Sequence, residues 1–334
     1  MSLFPLSVFK RKKDDQIPLA MVALSDAPSA QIACDAGIDA ILVGDSLGNT
    51  ALGFDSTLPV TMDMMAHHVA AVVRGVKSST RPDVPIIADL PFGSYATIEK
   101  AVENATRLMQ LGAHAVKMEG LGVEYAERSV FAALKATGIP VMGHIGFTPQ
   151  SQMALGAVVQ GKTHRDAQIL VNAARSLEME GCFAMVLEAM TEEAARKITE
   201  ARKVPTIGIG AGNGCDGQVL VWHDLVGISA KSLKMARAYA QTRQIWTEAL
   251  QEYKRDVESK AFPTEQNSWS MSPEELEKWR EEGAASYRGQ EYMDSEVEIE
   301  SPEGEPFHAF EKVVGVWERA DLPFDDDRDP FANQ

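Results

Sequence analysis

Short apolar runs alternate along the chain with longer segments whose apolar residues recur at helical spacing. The runs are four to seven residues long, and we interpret them as buried strands. Eight of them occur, at 18–24, 40–44, 84–88, 114–118, 139–143, 182–187, 204–209 and 218–221. Helical patterns lie between most of them or after the last, including 26–36, 97–111, 123–136, 164–180 and roughly 223–258. Strands that alternate with helices favour a parallel α/β fold.

Glycines stand just after several predicted helices, where a left-handed residue commonly ends a helix. These are Gly37, Gly112, Gly138 and Gly181. Eight strand–helix units within about 250 residues favour a closed (β/α)₈ TIM barrel. An open, doubly wound sheet is the alternative.

Charge separates the chain into a nearly neutral body and an acidic end. Residues 265–334 hold 20 acidic and 6 basic residues and so carry −14 of the net charge of −16. We predict an N-terminal segment over 1–17, a barrel catalytic domain over 18–264 and a partly disordered acidic extension over 265–334. Short helices are predicted near 272–283 and 308–319 within the extension.

Composition narrows the class of protein further. No apolar run approaches the ~20 residues of a membrane-spanning helix. The basic cluster near the N-terminus follows the apolar residues, which is the reverse of a secretory signal. The three cysteines, Cys34, Cys182 and Cys215, are widely spaced and typical of reduced thiols. A cytoplasmic protein without nucleic-acid or membrane partners is therefore expected, since no basic patch is evident.

Polar or glycine-rich chemistry follows six consecutive predicted strands. In a barrel these strand ends converge on one mouth, which is where active sites lie. The groups are Asp45 with Ser46, Asp89, Glu119, His144, Glu188 and the glycine-rich 210–214.

Asp45, Asp89 and Glu119 follow three successive strands. Their oxygen atoms would suit a hard cation such as Mg²⁺, which keeps open positions for water or substrate. The alternative is that each carboxylate caps a helix or pairs with a basic neighbour. Lys117 and Glu119 are two residues apart and so share one strand face. Burying both charges there is costly unless each is compensated.

Glu188 follows a wholly apolar strand, where desolvation favours general acid or base chemistry near neutral pH. Alternatively, it stabilises the N-terminus of the helix that begins near Thr191. His144 is a secondary candidate that could position substrate, hydrogen-bond an acid or serve the structure alone.

Three loops at these strand ends are candidate binding segments, at 46–61, 146–162 and 208–218. The last matches a dinucleotide fingerprint only if Asn213 replaces its final glycine, and no Rossmann half surrounds it. Close approach of the backbone to a ligand, or tight turns, explains its glycines better.

Several motifs occur in the order found in one enzyme family. They are VGDSLG (43–48), DSTLPVT (55–61), ADLPFGSY (88–95), VKMEG (116–120), PVMGHIGFTPQS (140–151), VQGKT (159–163) and VPTIGIGAGNGCDGQVLVWHD (204–224). Over about residues 18–262 the chain resembles the ketopantoate hydroxymethyltransferase family.

The resemblance implies a set of roles at the barrel mouth. It places Mg²⁺ at Asp45, Asp89 and Glu119, and the 2-oxoacid at Asp45, Ser46, Asp89 and Lys117. Glu188 matches the proton acceptor. The implied reaction passes a one-carbon unit from 5,10-methylenetetrahydrofolate to 3-methyl-2-oxobutanoate, giving 2-dehydropantoate in pantothenate biosynthesis. The family is cytoplasmic and homo-oligomeric, typically decameric.

The chain departs from the family's pattern in two places. VALSDAPSA (22–30) keeps Asp26 but lacks the family's tyrosine, and the acidic extension has no counterpart in the typical bacterial enzyme. Two other functions therefore stand beside the transferase. One is a Mg²⁺-dependent aldolase or lyase acting on an oxoacid without folate, although the lyases' cysteine-bearing loop is not evident. The other is an inactive paralogue that serves as a binding protein.

Overall fold

The computed structural model describes residues 4–120, 125–156, 158–230 and 233–286. Eight parallel strands close into a barrel in sequence order, with the last strand paired to the first. They are β1 Leu19–Ala23, β2 Ala40–Val43, β3 Ile86–Asp89, β4 Ala115–Glu119, β5 Val141–Gly146, β6 Ala184–Glu188, β7 Thr206–Ile209 and β8 Gly217–Val221. The predicted (β/α)₈ barrel is confirmed.

Helices alternate with the strands along the chain and also follow them, and several begin where the sequence offers a capping side chain. The hydroxyls of Thr61, Thr97 and Thr163 each accept a main-chain N–H of the first helical turn. The helices are α1 Ser7–Asp14, α2 Ala27–Asp35, α3 Leu47–Thr50, α4 Met62–Lys77, α5 Ile98–Gln110, α6 Tyr125–Ala136, α7 Gln152–Leu155, α8 His164–Glu180, α9 Glu192–Ala201, α10 Trp222–Leu225, α11 Thr242–Ser259 and α12 Pro273–Ser286. Short 3₁₀ turns occupy Pro149–Ser151 and Glu265–Asn267. The glycines predicted to end helices all have positive φ, as expected.

Apolar side chains form one layer inside the barrel and another between barrel and helices. Each strand contributes to both layers, because successive side chains along a strand point to opposite faces of the sheet. Helix α1 adds to the inner layer. Its Phe9 is 1% exposed and packs edge-on against Phe183, just before β6, with ring centroids 5.3 Å apart. This helix therefore closes the amino-terminal end of the barrel.

The helical region predicted over roughly 223–258 is helical at both ends but not in between. Helix α10 ends at Leu225, and α11 begins only at Thr242. Gly227 lies between them with φ +74°, and a Cβ there would come within 2.1 Å of the Ala240 carbonyl oxygen. The chain therefore turns sharply after α10 and folds back on itself.

The chain divides into two units, Met1–Phe262 and Pro263–Gln334. In the second unit, α12 lies where a helix is predicted near 272–283, whereas the helix predicted near 308–319 is outside the described residues. The division into a catalytic domain over 18–264 and an extension stays a prediction. Within the described part of the chain, no helix is both long and apolar enough to cross a membrane.

Candidate active site

The register of the barrel brings the charged side chains into pairs. Asp89 of β3 lies beside Lys117 of β4, and Glu119 of β4 lies beside His144 of β5. Glu188 of β6 lies diagonally from His144, two positions further along the ladder. Strands of four to six residues thus concentrate five ionisable groups at one end of the barrel.

Lys117 is 4% exposed and is surrounded by carboxylates. Its Nζ lies 3.0 Å from Asp89 Oδ1 in an ion pair without hydrogen-bond alignment, and 3.3 Å from His144 Nδ1. Burial alone would lower the Lys117 pKa, but the negative charges of Asp89, Glu119 and Asp45 outweigh it and raise the pKa. The ammonium group therefore stays charged inside the barrel.

Asp45 and Asp89 form a close pair with excess negative charge. Asp89 Oδ2 accepts a hydrogen bond of 3.0 Å from the main-chain N–H of Asp45. Burial and the charge of Asp89 raise the pKa of Asp45 to about 8. The pKa of Asp89 is also raised, chiefly by burial, although Lys117 opposes the shift. One lysine does not neutralise this pair, so the site favours an additional cation.

His144 joins Glu119 to Glu188. Its Nδ1 lies 3.5 Å from Glu119 Oε1, and its Nε2 lies 3.2 Å from Glu188 Oε2. Burial and Lys117 lower the pKa of His144, but the two glutamates outweigh them and raise it to about 9. Burial raises the pKa of Glu119, but His144 and Lys117 outweigh burial, so the net shift is downward. The imidazole thus links the carboxylate cluster to Glu188.

The main chain around Glu188 is held in an unusual conformation. Ala189, the next residue, has φ +43°, a left-handed value that non-glycine residues rarely adopt. On the neighbouring strand, Gly146 has φ +101°, and a Cβ there would be 2.1 Å from the Glu188 carbonyl oxygen. That oxygen accepts a 2.8 Å hydrogen bond from Phe147 N–H. Strain of this kind is characteristic of functional positions.

Two further residues belong to the cluster, and the sequence pattern did not identify them. Gln150 is 5% exposed and hydrogen-bonds to Asp45 and Glu119. Tyr95 donates a 2.6 Å hydrogen bond to Gln150 Oε1. Tyr95 lies in the family-like motif at 88–95 and Gln150 in the one at 140–151. Their place in these motifs is the feature of the sequence that could have identified them.

All the predicted site residues line one cavity of about 270 Å³ at the carboxyl-terminal end of the barrel. Ser46 lines it from the N-cap position of α3, where its side chain makes no capping hydrogen bond. An apolar wall faces the charged floor and includes Val221, Leu233 and Met235. Asp26 is not part of the cavity lining, because its carboxylate caps α2 through Ser29 N–H.

Two of the loops behave as predicted and one differs in its role. Segments of 46–61 and 146–162 line the cavity. The glycines of 208–218 serve packing instead, as a Cβ on Gly210 would meet Met235 at 2.9 Å and one on Gly212 would meet Glu192 at 2.4 Å. Both glycines have positive φ, which agrees with tight turns, and approach of this backbone to a ligand stays a prediction.

The donor atoms fit Mg²⁺ with few protein ligands. Among the described residues, no three Asp, Glu, His or Cys side chains form a ready-made ligand set for one ion. Mg²⁺ does not need one, because it usually binds one or two carboxylates and keeps several waters. Asp45 and Asp89 are adjacent, buried and short of positive charge. Glu119 is more fully engaged, since Oε2 accepts from Gln150 N–H.

The family model for "Ketopantoate hydroxymethyltransferase" matches residues 5–265. The chain belongs to this family. The 3-methyl-2-oxobutanoate hydroxymethyltransferase of Thermotoga maritima is 51% identical over 263 residues, covering 78% of this chain and 94% of that protein. The protein of the same name from Carboxydothermus hydrogenoformans is 48% identical over 282 residues, covering 83% and 99%.

Solved structures of low sequence identity share the barrel. Phosphonopyruvate hydrolase in complex with oxalate and Mg²⁺ has a TM-score of 0.52 at 14% identity and covers 86% of this chain and 99% of its own. A 2,3-dimethylmalate lyase has a TM-score of 0.53 at 16% identity, with the same coverage. These likenesses concern the fold alone.

Proposed function

We propose that the protein is a 3-methyl-2-oxobutanoate hydroxymethyltransferase. It would combine 3-methyl-2-oxobutanoate, 5,10-methylenetetrahydrofolate and water into 2-dehydropantoate and tetrahydrofolate. Membership of the family supports this activity. The structural observation that carries it is a floor of buried carboxylates around one ammonium group, with Glu188 supported separately in the same cavity.

Asp45 and Asp89 would hold Mg²⁺, and Glu119 would add negative charge beside them. When bound, the ion supplies Lewis-acid polarisation of the substrate's 2-oxo group. Ser46 would donate a hydrogen bond to the oxoacid, because its hydroxyl makes no capping bond and lines the cavity. Lys117 would compensate the negative charge of the substrate, as its ammonium group stays charged when buried.

Glu188 would accept the proton from C3 of the oxoacid. Its side chain is 15% exposed, whereas that of His144 is 2% exposed, so Glu188 reaches the cavity more freely. His144, whose Nε2 lies 3.2 Å from Glu188 Oε2 without an aligned hydrogen bond, would stabilise the carboxylate electrostatically. C3 then supplies the electron pair for the new bond to the one-carbon unit. The two bonds from that carbon to the folate nitrogens break, water supplies the hydroxyl group, and the proton from C3 and the second proton of water end on the two nitrogens.

Other properties are proposed from the family resemblance alone. The enzyme would act in the cytoplasm as a homo-oligomer, with a decamer as the family's typical form. Its partners would be its small-molecule substrates, without nucleic acid or membrane.

One assay distinguishes this function from the alternatives. Purified protein is incubated with Mg²⁺, 3-methyl-2-oxobutanoate and methylenetetrahydrofolate, and 2-dehydropantoate is measured. Its formation is the expected result, and its absence would refute the transferase. Loss of C3 hydrogen to D₂O without folate, with no transfer, would favour an enolising aldolase or lyase. If neither product formation nor C3 exchange is detected, the result would favour an inactive paralogue.

A further inference from the structure

Gln150 occupies a central position in the carboxylate cluster. Its Nε2 donates to Asp45 Oδ2 at 2.8 Å and to the Leu90 carbonyl oxygen at 3.0 Å. Its Oε1 accepts from Tyr95 at 2.6 Å, and its main-chain N–H donates to Glu119 Oε2 at 3.0 Å. One residue thereby contacts groups that follow β2, β3 and β4 as well as Tyr95.

These partners leave the amide of Gln150 only one orientation. The Leu90 carbonyl can only accept a hydrogen bond, so the nitrogen must face it. The same nitrogen uses its second hydrogen on Asp45, and the oxygen is left for the Tyr95 hydroxyl. Both donors and the acceptor of this buried amide are therefore satisfied.

The neighbouring carboxylates are less completely satisfied. Asp89 Oδ1 and Glu119 Oε1 are buried without an aligned hydrogen bond. Gln150 engages the other oxygen of Glu119 and Oδ2 of Asp45. Glu119 Oε1 therefore has only the ion-pair contact with His144 at 3.5 Å, while Gln150 holds Oε2 of the same carboxylate.

The segment that leads into the turn carrying Gln150 is hydrogen-bonded to the main chain of Glu188. Phe147 N–H donates to the Glu188 carbonyl oxygen at 2.8 Å, and the 3₁₀ turn Pro149–Ser151 follows at once. Only two residues, Thr148 and Pro149, thus lie between the residue bonded to the proposed base and the residue whose amide holds Asp45. The segment sets the spacing between the two halves of the site.

We infer that Gln150 is a positioning residue that orients Asp45, a proposed ligand of the divalent cation, and Glu119, which adds negative charge beside that cation. The inference rests on the proposed function, because that function supplies the cation. Tyr95 acts one step further away by holding the amide of Gln150. Neither residue touches the reacting atoms in this assignment.

The test measures Mn²⁺ binding by electron paramagnetic resonance, without substrate, in the full-length protein. Gln150→Met preserves approximate length but removes three side-chain hydrogen bonds, so we expect at least a tenfold weaker affinity. Tyr95→Phe removes the 2.6 Å bond to Gln150 Oε1 and a longer, 3.4 Å bond to the Glu119 carbonyl oxygen, and should weaken binding by roughly threefold. Gln168→Met applies the same chemical change on the exposed surface of α8 and should leave binding unchanged.

A second readout separates positioning from general damage. At saturating Mg²⁺, C3 exchange in the Gln150→Met protein should recover to within about fivefold of wild type. Unchanged Mn²⁺ affinity in both folded variants would overturn the inference while leaving the proposed function intact. A wild type that binds no Mn²⁺ would overturn both. If Gln150→Met does not fold, the Tyr95→Phe affinity alone decides.

Discussion

Individual side chains at the barrel mouth have separable roles. Asp45 and Asp89 lie close to Lys117 on one side of the cavity, whereas Glu188 lies beside His144 on the other. Binding and proton removal should therefore respond differently to substitution.

Glu188→Gln keeps the size of the side chain but removes its ability to accept a proton. We expect C3 exchange of 3-methyl-2-oxobutanoate to fall by at least about 100-fold, which is a typical contribution of a general base. Mg²⁺-dependent binding of the oxoacid should change by less than about threefold. Proton NMR in D₂O measures the exchange, and Glu193→Gln on the exposed surface of α9 is the matched control. Loss of binding instead would show that the role of Glu188 is misassigned.

His114, which is not one of the proposed site residues, should make the stability of the fold depend on pH. Burial lowers its pKa, and its Nδ1 lies 3.0 Å from the Ile86 N–H as an acceptor. The fold therefore prefers the neutral ring, and the unfolded chain binds more protons. This contribution is complete above the unfolded pKa of about 6.5 and is lost as pH falls towards the lower folded value.

His114→Asn retains an acceptor but cannot titrate. As the pH is lowered from about 8 to about 5, the free energy of unfolding of wild type should therefore decrease relative to that of this variant. The decrease should be at most about 1.4 kcal/mol per pH unit. Urea unfolding at matched protein concentration measures the difference. A constant difference across this range would contradict the expectation.

Charged residues were easier to predict than the amide that organises them. A carboxylate after an apolar strand is conspicuous because an uncompensated buried charge is costly. Gln150 is neutral, and a glutamine at this point in the sequence could equally well lie on the protein surface. Its partners lie 31 to 105 residues away in the chain, so only the closed barrel shows what it contacts.

Among the elements, strand positions followed directly from the apolar runs, because each strand is buried on both faces. The break between α10 and α11 did not follow, since residues on both sides of Gly227 have helix-compatible composition. What decides it is the close approach of Ala240 to Gly227, a contact across 13 residues. Helix propensity gave way there to tertiary packing.

Helix α11 presents an apolar face with no buried residues. Trp246, Leu250, Tyr253 and Val257 recur at spacings of four, three and four, and they are 57%, 68%, 56% and 44% exposed. Such a stripe is the usual seam of helix pairing. The proposed homo-oligomer supplies a partner for it in a second copy of the chain.

Leu250→Glu places a charge in the middle of this stripe and should reduce the oligomer to smaller species. Gln251→Glu adds the same charge to the polar side of α11 and should leave the assembly intact. Analytical ultracentrifugation compares the sedimentation of the two variants with that of wild type. Unchanged assembly in Leu250→Glu would show that this face is not in the interface.

At the scale of the whole molecule, most of the net negative charge lies in the acidic extension, whereas the proposed site residues lie elsewhere. We therefore expect that catalysis does not need the extension. Every proposed site residue lies within Met1–Phe262, which is also where the family model matches almost entirely. Deleting 265–334 should leave kcat and the KM for the oxoacid within about twofold, while net charge changes from −16 to −2. Steady-state kinetics of the two proteins tests this. A large loss of kcat would assign the extension a direct part in the reaction.

Closure of the barrel by α1 has a consequence for the order of events. With Phe9 buried at the amino-terminal end, the described residues leave the opposite opening as the route to the charged floor. The small oxoacid would sit on that floor, and the bulky folate would lie above it. The second substrate would therefore cover the first, so the oxoacid should bind first and its product should leave last.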